Sequence, residues 1–329
     1  MTVARGQIGR SVGRNLRKAP VPTVLAVVLA GCQLAAPAPP PTPEAPPAPT
    51  PPAAATREPE AAAPASALGW YYARIEAQRQ EAGLLRTDIT ATDAPFTSNN
   101  LVENFVRIAL YDEYQIVRGR PVARATPSTL RRWESPVRMR LDFGPSVPPE
   151  VRDSDRRDVA AYAARLGRLT GHPVSLVHGS ANFHVLVVNE NERRALGPRL
   201  RDLIPGIDAD TVRIITDLPL ETFCLVLAFS RDGTNVYSDA LAVIRAEHPD
   251  LTRRACYHEE LAQGMGLPND SPQARPSIFN DGKEFALLTP HDELLLRILY
   301  DRRLRPGMRE AEARPIVTRI VAELMGGES

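Results

Sequence analysis

The sequence predicts an α+β domain built on one mixed sheet, and three features carry that expectation. Short β-rich runs alternate with helix-period segments through the middle of the chain, and helices then close it. Val137-Arg138-Met139-Arg140-Leu141-Asp142-Phe143 alternates strictly, as a strand with one buried face does. Phe223-Cys224-Leu225-Val226-Leu227-Ala228-Phe229 is apolar throughout, as a strand covered on both faces is.

The first fifth of the chain lies outside that domain. Arg5, Arg10, Arg14, Arg17 and Lys18 precede an apolar run from Val21 to Leu29. That run is too short to span ~30 Å of hydrocarbon and reads as a secretory signal. It ends in Leu29-Ala30-Gly31-Cys32, which resembles the bacterial lipobox. The resemblance implies that residues 1–32 are a lipoprotein leader and that a lipidated Cys32 makes the membrane a partner. Each buried acyl methylene adds about 0.8 kcal/mol to such an anchor. Gln33 follows where an Asp commonly marks inner-membrane retention, so the expected location is the cell envelope: periplasm-facing and held at the outer membrane. Residues 33–66 hold twelve of the 32 prolines, mostly among alanines, and read as a disordered tether. At ~3.1 Å per residue it reaches on the order of 100 Å. Residues 67–329 form the globular domain.

Within the domain, Leu101, Phe105, Ile108 and Ala109 recur at helical spacing after Ser98, a candidate cap, and predict a helix over 99–113. Trp133 precedes the alternating strand. A helix is expected from Asp153 to Leu169, closed by Gly171. Val174–Val177 and Phe183–Val188 flank His178-Gly179-Ser180 and look like paired strands. Residues 190–203 read as one helix stopped by Pro205-Gly206, and 239–245 as a further strand. A helix over about 251–266 should end at Gly266 in a left-handed cap. Thr289-Pro290-His291-Asp292 has the cap, first-turn proline and acid that open a helix, and a last helix runs from near Glu312 to Met325.

The chemistry-bearing stretch is Glu259-Glu260-Leu261-Ala262-Gln263-Gly264-Met265-Gly266-Leu267-Pro268-Asn269-Asp270. It has the outline of the zinc-protease helix H-E-x-x-H-x-x-G-x-x-H, in which two imidazoles four apart grip one metal. The adjacent Glu there acts as base on the metal-bound water. Here the ligand positions read Glu259, Gln263 and Asn269, the base position is Glu260 and the glycine is Gly266. The order of elements resembles the zincin fold, in its metzincin branch. That resemblance implies a sheet with a backing helix, a motif helix broken at a glycine, and a turn beneath the site. At that turn Pro276-Ser277-Ile278-Phe279-Asn280 carries Phe279 where metzincins carry methionine. Asp292-Glu293-Leu294-Leu295-Leu296-Arg297-Ile298-Leu299-Tyr300 is similar to the closing helix of matrixin-like proteases. The stretch 256–308, with Trp133-Glu134-Ser135-Pro136-Val137-Arg138 upstream, also resembles an uncharacterised bacterial family that is catalogued as a domain of unknown function and often found on lipoproteins.

Zinc prefers imidazole and thiolate, which these positions do not supply, so no zinc cofactor is expected. The oxygens present, with Glu260 and Asp270, leave room only for a weak calcium site. Two uses of the stretch remain: a polar patch tying helix to loop, or a metal-free cleft that binds an envelope peptide or protein along an edge strand. The alternative is a divergent metal-dependent hydrolase with Glu260 as general base. His258 begins an H-E-x-x-H in another register, but Ala262 ends it. His172, His178 and His184 are spaced by six and have no defined convergence. Ser180 and Ser230 lack a nucleophile-elbow context. A net charge of +1 gives no reason to expect nucleic acid. With Cys32 set aside, Cys224 and Cys256 are an even pair in an oxidising compartment, and a disulfide is expected.

Overall fold

The computed structural model describes residues 65–90, 92–117, 120–230 and 233–326. The expected leader, Cys32 and the Pro/Ala stretch up to residue 64 lie outside the described residues. Helix α1 (Ala65–Glu81) begins just inside the stretch expected to be tether. Helix α2 (Ser98–Ala109) follows, then strands β1 (Tyr111–Val117), β2 (Arg120–Pro127), β3 (Arg132–Trp133) and β4 (Val137–Phe143). Helix α3 (Pro149–Thr170) leads to β5 (Val174–Leu176) and β6 (Phe183–Val188). Helices α4 (Glu190–Arg194), α5 (Gly197–Leu203) and α6 (Ala209–Thr216) precede β7 (Cys224–Ser230) and β8 (Val236–Arg245). Helices α7 (Asp250–Gln263), α8 (Pro290–Leu299) and α9 (Glu310–Gly326) close the chain. The result is the α+β fold that the alternation of elements predicts.

Period-two patterning explains the sheet. Strands run in the order β8-β6-β4-β5, all parallel; β7 pairs antiparallel with β8 and the short β3 pairs parallel with its start. On β7, Cys224, Val226 and Ala228 face one apolar core, while Leu225 and Leu227 face a second. Phe183, Val185 and Val187 of β6 likewise join the first core, and Leu186 and Val188 the second. Central strands are therefore buried on both faces, which is why β7 reads as a continuous apolar run. Helices α2, α3, α7, α8 and α9 cover the first face, and α5 and α6 the second.

Four local expectations differ from the structure. Strands β5 and β6 do not pair with each other: both pair with β4, one on each side, so 177–182 is a crossover rather than a hairpin. The 190–203 helix is broken, because the chain reaches Gly197-Pro198 and a second helix restarts there. Thr97, not Ser98, caps α2, and that helix stops at Ala109 before a β1–β2 hairpin that no pattern in the sequence discloses. The motif helix ends at Gln263, and Gly266 serves a close approach rather than a left-handed cap. Its φ is 127°, and a Cβ there would lie 2.2 Å from the Arg131 carbonyl oxygen.

Two features fix α7 over the sheet. The Trp133 indole donates 2.8 Å to the Gly264 carbonyl at the end of the helix. Cys224 on β7 and Cys256 on α7 form a disulfide, with Cα atoms 5.9 Å apart and a sequence separation of 32. Closing a loop of that size contributes roughly 3–4 kcal/mol on the chain-entropy model. A disulfide is compatible with an envelope or other extracytoplasmic location. Among the described residues no helix is long and apolar enough to cross a membrane.

Candidate functional site

Helix α7 presents Glu259, Glu260 and Gln263 near its C-terminal end, and the chain turns at Gly264 and Gly266 to bring Asp270 back beside them. The Lys283 ammonium completes the set, arriving from the turn between Asn280 and α8. It donates to Glu259 Oε1 at 2.5 Å and lies 3.5 Å from Asp270 Oδ2. The Gln263 side-chain amide donates to Asp270 Oδ1 at 3.0 Å. Glu259, Gln263 and Asp270 are thus drawn together around one cation, and that cation is a lysine.

Asn269 is not part of this group. Its side-chain amide donates to the Arg107 carbonyl at 2.8 Å, and its backbone N–H donates to the Ile108 carbonyl at 3.1 Å. It satisfies carbonyls at the end of α2, which would otherwise lack partners. The polar side chains of this stretch are therefore divided between two neighbours. The turn beneath is also tied down. Asp292, three residues into the Thr289 capping box, accepts from the Ser277 hydroxyl and, at 3.1 Å, from the Ile278 N–H. Phe279 is fully buried at the position expected to lie under the site.

Burial and charge set the protonation of the group. Glu260 is 2 % exposed; burial, reinforced by the Glu259 carboxylate, pushes its carboxyl up to about 8. At neutral pH it is a neutral acid, able to donate a proton rather than to take one. Burial works against the Lys283 ammonium, but Glu259 and Asp270 outweigh it and hold the lysine above its ordinary range. Lys283 is consequently a fixed cation and not an amine nucleophile. Burial and the nearby Asp270 also raise Asp281. Beside these groups lies a cavity of about 260 Å³, walled by Arg79, Phe223, the Cys224–Cys256 disulfide, Glu259, Glu260 and Lys283 among others.

A zinc ion does not fit this donor set. The ammonium stands between the carboxylates, Gln263 turns its N–H toward Asp270, and Asn269 is engaged with α2. Among the described residues no three His, Cys, Asp or Glu side chains gather as they would around a metal ion. His258 stacks on Tyr162 with ring centroids 4.1 Å apart and accepts from the Leu288 N–H; burial drives its pKa down to about 3, so it is a neutral packing residue. His172 bonds the Ser135 carbonyl.

Lys283 is the member of this cluster that the motif does not reach, because it lies outside the helix. A signal for it exists in composition. Lys18 and Lys283 are the only lysines in the chain, and every other residue among its 40 Lys and Arg is an arginine. A flexible point charge suits a pocket between carboxylates where a planar guanidinium fork would need more room.

A family model described as a protein of unknown function, DUF2927, matches residues 98–319. No curated protein and no solved structure matches the chain.

Proposed function

The chain belongs to the DUF2927 family of proteins of unknown function, and from that premise we propose that it is a lipid-anchored envelope protein whose domain is a metal-free, metalloprotease-like binding module. Residues 1–32 would deliver it to the periplasmic side of the outer membrane, Cys32 would anchor it, and the Pro/Ala stretch would tether the domain. The ligand is an extended peptide or protein segment lying in the cleft between the start of β7 and the 281–286 segment. One observation carries the reading: the Lys283 ammonium holds together Glu259 and Asp270, at the place where the zincin resemblance calls for a metal. The element order supports the same ancestry, since strand, backing helix, edge strand, motif helix, glycine break and turn follow one another as that resemblance implies. Hydrolysis with Glu260 as base is the weaker reading, because burial keeps that carboxyl protonated at neutral pH.

A displayed library of random peptides, selected on the purified full chain, tests the proposal. Enriched peptides should bind unchanged in EDTA and lose at least about tenfold in affinity when alternate backbone amides are N-methylated, as strand addition requires. Failure to enrich any peptide, or binding that EDTA abolishes, contradicts it.

A further inference from the structure

We infer that residues 65–90 are an intrasteric strap: a segment of the chain's own backbone that occupies the peptide-docking edge and marks the partner as an extended peptide with an apolar residue followed by arginine. The inference rests on the peptide-binding reading above and identifies the edge that the peptide would use.

The strap precedes the residues that the family model matches. Its buried apolar side chains, Leu68, Tyr72 and Leu85, belong to neither apolar core. It is instead held by polar and aromatic contacts to both walls of the Lys283 cavity. On the first wall, the motif helix begins at Pro249 with no side-chain cap of its own. Glu76 of the strap fills that role, accepting from the Thr252 N–H at 2.8 Å and from its hydroxyl at 2.6 Å. Tyr72 donates 3.0 Å to the Leu220 carbonyl and meets the Phe223 ring edge-on, while the Arg79 guanidinium sits 4.4 Å over that ring.

On the second wall the strap runs extended. The Leu85 N–H donates to the Lys283 carbonyl at 3.0 Å, the Arg86 N–H to the Glu284 carbonyl at 2.7 Å, and the Ala286 N–H to the Arg86 carbonyl at 2.9 Å. These bonds make a parallel bridge between Arg86 and Phe285. Leu85 lines the cavity. Arg86 lies over the Phe285 ring and pairs with Glu284 at 2.9 Å. Strand addition to an exposed edge works in this way: main-chain bonds supply affinity and side-chain pockets supply selectivity. Because polar and aromatic contacts rather than a shared core hold the strap, it can leave while the domain stays folded.

The test uses the full chain carrying Glu76→Gln and Arg86→Ala, with a fluorescent peptide of residues 82–90 as probe. The peptide should bind this variant at least about tenfold more tightly than it binds wild type, whose own strap competes, and should lose at least about tenfold when its arginine is replaced by alanine. Should the variant not fold, hydrogen exchange on wild type decides. The amides of Leu85, Arg86 and Ala286 should exchange at least about 100-fold faster than those of β6 and β8. Exchange at the same rate as those strands shows that the strap opens only on global unfolding and overturns the inference. Absence of binding by the 82–90 peptide, while library-selected peptides still bind, overturns the inference and leaves the peptide-binding reading standing. Absence of binding by every peptide removes both.

Discussion

Replacing Lys283 with methionine should destabilise the folded protein by about 1–3 kcal/mol at pH 8, between an exposed pair and a fully buried one, because the lysine side chain is 31 % exposed. Glu259 and Asp270 flank the ammonium with side chains only 14 % and 10 % exposed, so neither can recover full hydration when the cation is gone. Methionine keeps the length of the stem and removes the charge, which isolates the electrostatic part. The lysine's folded pKa lies above its unfolded value of 10.5, so its contribution is fully present below pH 10.5 and is lost only as pH rises through the folded value. Wild type therefore keeps the lysine charged at both pH 8 and pH 5. The variant should therefore show its loss at both pH values. Urea denaturation of both proteins at the two pH values measures this. A loss below about 1 kcal/mol at pH 8, within the range of exposed pairs, would mean that the ammonium is a surface charge and not the centre of the site.

Glu260→Gln should act in the opposite direction and with a different pH dependence. The native carboxyl titrates at about 8 against an ordinary value of 4.5, chiefly through burial and then through the Glu259 charge. The folded state therefore holds this proton more tightly than the unfolded state does. Stability is greatest below pH 4.5, falls as pH rises from 4.5 to 8, and levels off above that. Each pH unit across that window removes at most about 1.4 kcal/mol, so the whole fall is on the order of 5 kcal/mol. Glutamine has the shape of the neutral acid and no proton to lose. The variant should match wild type at pH 5 and exceed it by a few kcal/mol at pH 9. Parallel stability curves for the two proteins across pH 5 to 9 would show that Glu260 is ionised in the fold and still available as a base.

Much of the fold is legible in the sequence because it rests on local patterns. The alternation at 137–143 and the unbroken apolar run at 223–229 report which faces are buried, and Thr289 with Asp292 encodes a capping box within four residues. The disulfide is legible because two cysteines in an oxidising setting have few alternatives. The failures are non-local. His178-Gly179-Ser180 reads as a turn, but only the tertiary structure places β4 between β5 and β6. Helix α1 has no apolar stripe, since it docks through Glu76, Arg79 and Tyr72 rather than through a core face.

The site divides along the same line. Glu259, Glu260 and Gln263 share a helix, and their spacing alone puts them together. Asn269 departs because the orphan carbonyls of α2 lie nearer than the cluster does. Lys283 enters from 24 residues beyond Glu259, on a turn that no helical period describes. The motif by itself therefore shows the carboxylates and hides the lysine that pairs with them.

Metal content tests the central claim most directly. The full chain, purified without chelator, dialysed against Zn²⁺ and Ca²⁺ in turn and then against metal-free buffer, should retain well under about 0.1 ion per chain by elemental mass spectrometry. Lys283→Met should be the variant in which any metal affinity first appears, since it vacates the space between Glu259 and Asp270. Retention of one zinc or calcium ion per wild-type chain, lost on Gln263→Ala, would contradict the account: the cation of this site would then be a metal and not the lysine.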